Sequence, residues 1–212
     1  MFWKVIDLTR QSVLRKILES PPVKNCYLAG GTALAFQLGH RESIDFNWFT
    51  PDPFTPEQIE TGLSEQGRLM ITEAKPNTFH GILDGVQVTW LRYTAPLLES
   101  PIVSDILPQL KIASILDIGT MKLIAASQQG ARKDFIDLYV IEQSGLSLTS
   151  LIRRLPEKFP NTSINYYHIV KSLVYFDDAE QEPMPRMLKP LEWTTVKEFF
   201  VRTQKQLLNS IP

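Results

Sequence analysis

Apolar residues recur at helical spacing near the start of the chain, at Val5, Leu8, Val13, Leu14, Ile17 and Leu18. That pattern predicts an amphipathic helix over residues 2 to 18, ended by Pro21-Pro22. Cys26-Tyr27-Leu28-Ala29 then reads as a short strand, Gly30-Gly31-Thr32 as a glycine turn opening a helix to Leu38 with Gly39 as its C-terminal cap, and Ile44 to Phe49 as a second strand. Thr55-Pro56-Glu57-Gln58 supplies an N-cap, a first-turn proline and an acidic first turn, so a helix should run to about Glu65. A short mixed strand follows over residues 69 to 74. Phe79 to Leu83 and Val86 to Tyr93 flank Asp84-Gly85, a strong hairpin signal.

From about residue 112 the period becomes helical throughout. Ser114 and Asp117 fit a capping box, Gly130 follows the end of that helix, and Arg132 to Gln143 forms the next. Further helices are expected over 147 to 158, 163 to 175 and 192 to 208, separated by prolines. The reading is an α+β core over residues 1 to 110, then an all-helical region over 111 to 212 that packs against it.

Composition narrows the classes. In 212 residues, 43% are hydrophobic and the formal charge is -1, which suits one sizeable core and argues against nucleic-acid binding through a global basic field. The lone Cys26 allows no internal disulfide, and with no signal-peptide pattern the expected location is the cytoplasm. No apolar run reaches the length of a membrane span; the nearest, Ile112 to Ala126, is broken by Asp117, Gly119 and Lys122, so no membrane partner is expected. His40, His80 and His168 lack metal-ligand spacing, so any catalytic metal must be held by oxygen.

The segment Tyr27 to Phe49 carries the chemistry. Gly30-Gly31 lets backbone approach a ligand closely, Thr32 adds a hydroxyl, and the helix that starts there points unpaired N–H groups at an anion, for which phosphate is the natural occupant. Asp45 and Asn47, two apart on a strand, project from one face as oxygen ligands suited to Mg²⁺. Read singly, Gly-Gly is a tight turn and Asp45 a surface or capping residue; the combination is more specific.

Gly-Gly-Thr-Ala-Leu from residue 30, followed by His40-Arg-x-Ser-x-Asp-x-Asn-x-Phe49, resembles the AbiEii/AbiGii-type nucleotidyltransferases, relatives of toxins in bacterial abortive-infection systems. Met121 to Ala126, Lys133 to Tyr139 and Tyr175 to Glu180 resemble the family's lysine helix, its Asp-x-x-Asp-Leu segment and a stretch typical of its short members. The resemblance implies a polymerase-β-like nucleotidyltransferase fold, a mixed sheet with flanking helices. It implies Mg²⁺ or Mn²⁺ as cofactor and an NTP as substrate, whose nucleotidyl group passes to an acceptor hydroxyl on RNA or protein, with an antitoxin protein as a further partner. Gly30, Gly31, Thr32, Arg41 and Ser43 would bind nucleotide, Asp45 and Asn47 would ligate the metal, and Lys122 would reach toward the triphosphate.

Two positions depart from the family pattern. Asn47 stands where the motif prefers Asp, so the site carries one negative charge fewer, and the third carboxylate of fully active relatives is replaced by Thr89 on the Val86 to Tyr93 strand. A nucleotide-binding protein of the same fold that has lost catalysis is therefore the competing reading. Lys122 is either a snorkelling helix residue or a functional cation. Asp134 and Asp137, on one helix face, could pair with Arg41 or Lys133, or cap the helix and orient the phosphate site. His80 is a half-buried strand residue or a pocket acid or base. Arg153, Arg154 and Lys158 read as a solvated basic face, with RNA phosphate contact as the alternative.

Overall fold

The computed structural model describes residues 1–210. After a 3-10 turn, Trp3–Val5, the chain runs α1 (Leu8–Glu19), β1 (Tyr27–Ala29), α2 (Gly30–Leu38), β2 (Asp45–Thr50), α3 (Pro56–Ser64), β3 (Leu69–Lys75), β4 (Thr78–Leu83) and β5 (Val86–Arg92). Two short strands follow, β6 (Ile102–Val103) and β7 (Lys111–Ile112). The rest is helical: α4 (Ile115–Gln128), α5 (Arg132–Gln143), α6 (Leu148–Lys158), α7 (Tyr166–Ser172), α8 (Asp177–Gln181) and α9 (Trp193–Leu208).

The strands form one mixed sheet in the order β3-β4-β5-β2-β1-β7-β6. β2 lies between antiparallel β1 and parallel β5, and β3, β4 and β5 form an antiparallel meander. Strand alternation gives the sheet two unlike faces. Phe46, Trp48, Phe79, Leu83, Val88 and Trp90 are buried on one, with α1 packed against β5 and α3 against β3 and β4. The other face carries Asp45, Asn47, Gln87, Thr89 and His80, half-buried or exposed.

Local chemistry explains the element boundaries. The first α-helix starts at Leu8 rather than at residue 2, because Asp7 is extended and accepts the Arg10 N–H at 2.8 Å; Val5 lies in the separate 3-10 turn. Asp84 and Gly85 both have positive φ, the requirement of the two-residue hairpin turn. Thr55 and Gln58 form a reciprocal capping box on α3, and Ser114 caps α4 by accepting from Asp117 N. The helix expected over 163 to 175 is shorter, because Asn165 caps it at its own position. α8, β6 and β7 carried no recognisable period at two to five residues each, and β7 extends the sheet to Ile112 by pairing in parallel with β1.

The basic cluster divides. Lys158 is fully buried, donating to Asp117 Oδ1 at 2.7 Å and to the Pro96 carbonyl at 2.8 Å, so it belongs to the core and not to a basic surface.

Candidate active site

β2 leaves Asp45 and Asn47 facing a cavity of about 550 Å³, walled by the start of α2, the 41–44 loop, Gln87, and Met121, Lys122 and Ala125 of α4. Lys133 and Arg186 line it as well. Gly30 has φ +70°, a conformation that disfavours side chains, and an added Cβ there would lie 3.4 Å from Asn47 Nδ2. At Gly31 an added Cβ would collide with Nη2 of Arg41. The glycine pair thus makes room for protein groups as well as exposing backbone: Gly31 lets the Arg41 guanidinium pass beneath α2.

Thr32 is fully buried, its hydroxyl bonded to Ser43 Oγ at 2.6 Å and to the Asp45 carbonyl. That tie fixes the entry to β2 and with it the direction of Asp45. Thr32 does not line the cavity, whereas Gly30, Gly31, Arg41 and Ser43 do.

Behind the cavity lies a buried ion network. Arg41 donates from Nε and Nη2 to the two oxygens of Asp137, at 2.8 and 2.9 Å, and His40 Nε2 is 2.9 Å from Asp137 Oδ1. Lys122 Nζ lies 2.6 Å from Asp134 Oδ1 and 2.8 Å from Asp137 Oδ2. Burial alone would raise the Asp137 carboxyl; the Lys122 and Arg41 charges, with hydrogen bonds from His40 and Arg41, outweigh it and hold Asp137 well below the usual carboxylate range. For Lys122, burial opposes the charged form, and Asp137 with Asp134 overrides it and raises its pKa. Of the two pairings open in the sequence, the structure has Arg41 with Asp137, while Lys133 is in no ion pair among the described residues; the pairing of both aspartates with Lys122 was not among those expected. Lys122 borders the cavity but is held by two carboxylates instead of extending freely into it.

His80 is outside the cavity wall. It sits on β4, its Nδ1 3.0 Å from Thr89 Oγ1. Register puts Gln87 beside Asp45 and Thr89 beside Asn47. Gln87 and Arg186 escaped the sequence reading: Gln87 becomes visible only once β2 and β5 pair in parallel, and Arg186 arrives on a segment far away in the chain. That segment forms a β-bridge between Met187 and Arg41, and the Arg186 guanidinium reaches Glu42 at 3.1 Å at the cavity mouth.

No family model matches the chain. Over 204 residues it is 36% identical to the uncharacterized protein aq_aa25 of Aquifex aeolicus (strain VF5), covering 95% of this chain and 97% of that one. The chain belongs to the family of that protein. Among solved structures, it resembles an H. pylori protein assigned as a nucleotidyltransferase, with TM-score 0.59 and 15% identity over 96% of this chain and 95% of that one. It also resembles MenT4, a nucleotidyltransferase toxin from Mycobacterium tuberculosis H37Rv, with TM-score 0.58 and 14% identity over 95% and 83% of the two chains. The fold is therefore that of nucleotidyltransferases: a mixed α+β sheet with flanking helices and a helical C-terminal half. Among the described residues no helix is long and apolar enough to cross a membrane.

Proposed function

We propose that this protein is a nucleotidyltransferase of the AbiEii/AbiGii type, moving a nucleotidyl group from an NTP to an acceptor hydroxyl on RNA or protein with Mg²⁺ or Mn²⁺. One observation carries the reading: Asp45 and Asn47 open side by side into the cavity beside Gly30, whose φ of +70° suits a residue without a side chain. Among the described residues no three His, Cys, Asp or Glu side chains are grouped to hold a metal by themselves. One carboxylate and one amide oxygen nonetheless fit a Mg²⁺ that takes its other ligands from water and substrate phosphate. When bound, the ion would polarise the phosphoryl oxygens.

The chain's own groups divide the remaining work. Arg41 and Lys122 are matched by Asp137 and Asp134, so this inner wall adds little net charge and acts to hold the cavity's shape. The cation at the cavity lining that is in no ion pair among the described residues is Lys133, which can balance charge that develops on departing pyrophosphate; Arg186, at the mouth, is exposed and paired with Glu42. The resemblance to toxins extends the proposal to growth inhibition relieved by an antitoxin protein.

The test is incubation of the purified protein with each labelled NTP, Mg²⁺ or Mn²⁺, and total RNA or protein. Label transfer that disappears in Asp45→Ala is the expected result. Nucleotide binding without transfer, with transfer appearing in Asn47→Asp, would instead identify the catalytically degenerate form that Asn47 and Thr89 make conceivable. Absence of nucleotide binding would overturn the proposal. Expression in a bacterial host should arrest growth for the native chain and not for Asp45→Ala.

A further inference from the structure

The open face of the sheet carries a polar row that runs outward from the cavity floor at Asn47. Asn47, Thr89, His80 and Glu73 are successive register partners across β2, β5, β4 and β3. Neighbouring strands in such a sheet lie about 4.8 Å apart, so the row leads stepwise away from the Asp45–Asn47 floor. His80 Nδ1 is 3.0 Å from Thr89 Oγ1, and its Nε2 is 3.8 Å from Glu73 Oε2.

An irregularity puts the carboxylate in this row. Ile71 pairs with Gly81, yet the residue opposite His80 is Glu73, because β3 bulges at Thr72. Without the bulge, Thr72 would face His80. A bulge redirects the side chains that follow it, and this one exchanges a hydroxyl for a carboxylate at the imidazole.

We infer that Glu73, His80 and Thr89 form a proton relay for the acceptor hydroxyl, with Thr89 contacting the acceptor in the place where related enzymes use a third carboxylate. The inference rests on the nucleotidyl-transfer reading above. At 3.8 Å the Glu73 carboxylate is beyond hydrogen-bond distance and acts through its charge, which favours the tautomer with the proton on Nε2 and leaves Nδ1 to accept from the Thr89 hydroxyl. Thr89 is half-buried, so its oxygen can accept from a substrate while donating to His80. In the step, the acceptor oxygen bonds to the α-phosphorus and the bond from that phosphorus to the bridging oxygen breaks, releasing pyrophosphate. The acceptor proton passes to Thr89 Oγ1 as the Thr89 proton passes to His80 Nδ1. Thr89 ends neutral, and the half-exposed imidazolium returns its proton to water. The charged groups about His80 are Glu73 on β3, with Lys75 2.5 Å from its other oxygen, and Asp45 on β2, one row away. β5 contributes neutral Gln87 and Thr89, and β4 has no other titratable residue.

The relay predicts that His80→Gln and Thr89→Val each lower single-turnover transfer by about 100-fold, the lower range for a general base, while nucleotide affinity is retained. The acidic limb of the native pH–rate profile should vanish in His80→Gln. The deciding variant is Thr89→Asp, which supplies a carboxylate directly: His80→Gln placed on that background should change the rate by less than about threefold, because the relay is bypassed. An equal loss from His80→Gln in both backgrounds, or an unchanged acidic limb, would make His80 a structural residue and overturn the inference. Nucleotide binding without transfer, in both the native chain and Thr89→Asp, would overturn the relay and leave nucleotide recognition standing. Failure to bind nucleotide at all would remove the reading beneath it as well.

Discussion

Lys122 and Lys158 are both buried against aspartates, yet their surroundings differ. Lys158 is closed on every side: Asp117, its partner, also accepts from Leu98 N at 2.9 Å, Glu99 N at 3.2 Å and Ser114 Oγ at 2.8 Å. That knot joins α4, α6 and the loop before β6, and the Tyr93 ring lies 5.5 Å from the ammonium. Lys122, by contrast, is paired with Asp134 and with Asp137, the latter shared with Arg41, and has the cavity on its open side. A buried ion pair returns little net stability over an apolar pair of similar shape, although breaking one is costly because a charge is left stranded. The closed knot thus specifies how elements meet, and the open one holds charged groups in place where a ligand enters.

The largest effect is expected from Asp137→Ala. It strands Arg41 and Lys122 beside the single carboxylate of Asp134 and should cost about 3–5 kcal/mol in urea unfolding, with nucleotide binding lost. Asp137→Asn retains hydrogen-bond acceptance and should lose less. The sign of the pH effect follows from the direction of the shift. Asp137 is held below its unfolded value, so its contribution is present above about pH 4 and is lost as the pH falls through the folded value. Lys122 is shifted upward, so its contribution is complete below about pH 10.4 and is lost as the pH rises beyond that. Acid unfolding of Asp137→Asn should accordingly be less steep than that of the native chain.

Exchanging each of the two lysines for Met separates the closed knot from the open one. Lys158→Met should cost about 3 kcal/mol, since Asp117 keeps its N–H and hydroxyl donors but loses its countercharge. Nucleotide affinity of the folded fraction should be unchanged. Lys122→Met should cost a similar amount and weaken nucleotide binding too, by releasing Asp134 and Asp137 as negative charge against the phosphates. Equal losses of affinity in calorimetric titrations of the two variants would erase the distinction. Gly31→Ala is milder: its methyl group must displace the Arg41 guanidinium from Asp137, at a cost of about 1–3 kcal/mol read by thermal unfolding.

These two knots also mark how far the sequence could be read. Period, caps and turn residues located β2, the hairpin and the helices α3 to α6, because those features are local. Asp45 and Asn47 were legible for the same reason, as neighbours on one strand. What Lys122 and Lys158 touch was not local: their carboxylates lie 12 to 41 residues away, and a lysine in an apolar run reads alike whether it snorkels or is buried. Gly31 similarly looked like a phosphate-facing glycine, although its missing Cβ also accommodates Arg41. Thr89 was legible as the occupant of the third-carboxylate position, but its neighbours Asn47 and His80 came only with strand register, as did Gln87, and Glu73 came only with a bulge that no residue pattern announced.

Cys26 supplies the contrasting case, a half-buried ionisable group whose shift owes nothing to a cation. Burial is the main cause that pushes its thiol up to about 12, with Asp52 adding to it, while hydrogen bonds with Trp90 and Thr50 oppose the rise only in part. Where Lys122 keeps its charge because carboxylates meet it, Cys26 stays neutral because burial and Asp52 disfavour the thiolate. The consequence is confined to reactivity. At pH 8 the native thiol should react with an aromatic disulfide about a thousandfold more slowly than the same thiol in urea, since the thiolate is the reacting species. Cys26→Ser should leave nucleotide affinity unchanged. Rapid modification of the folded protein would mean that burial does not set the charge state of Cys26. The rule that separates a group with a countercharge from one without would then fail at its simplest example in this chain.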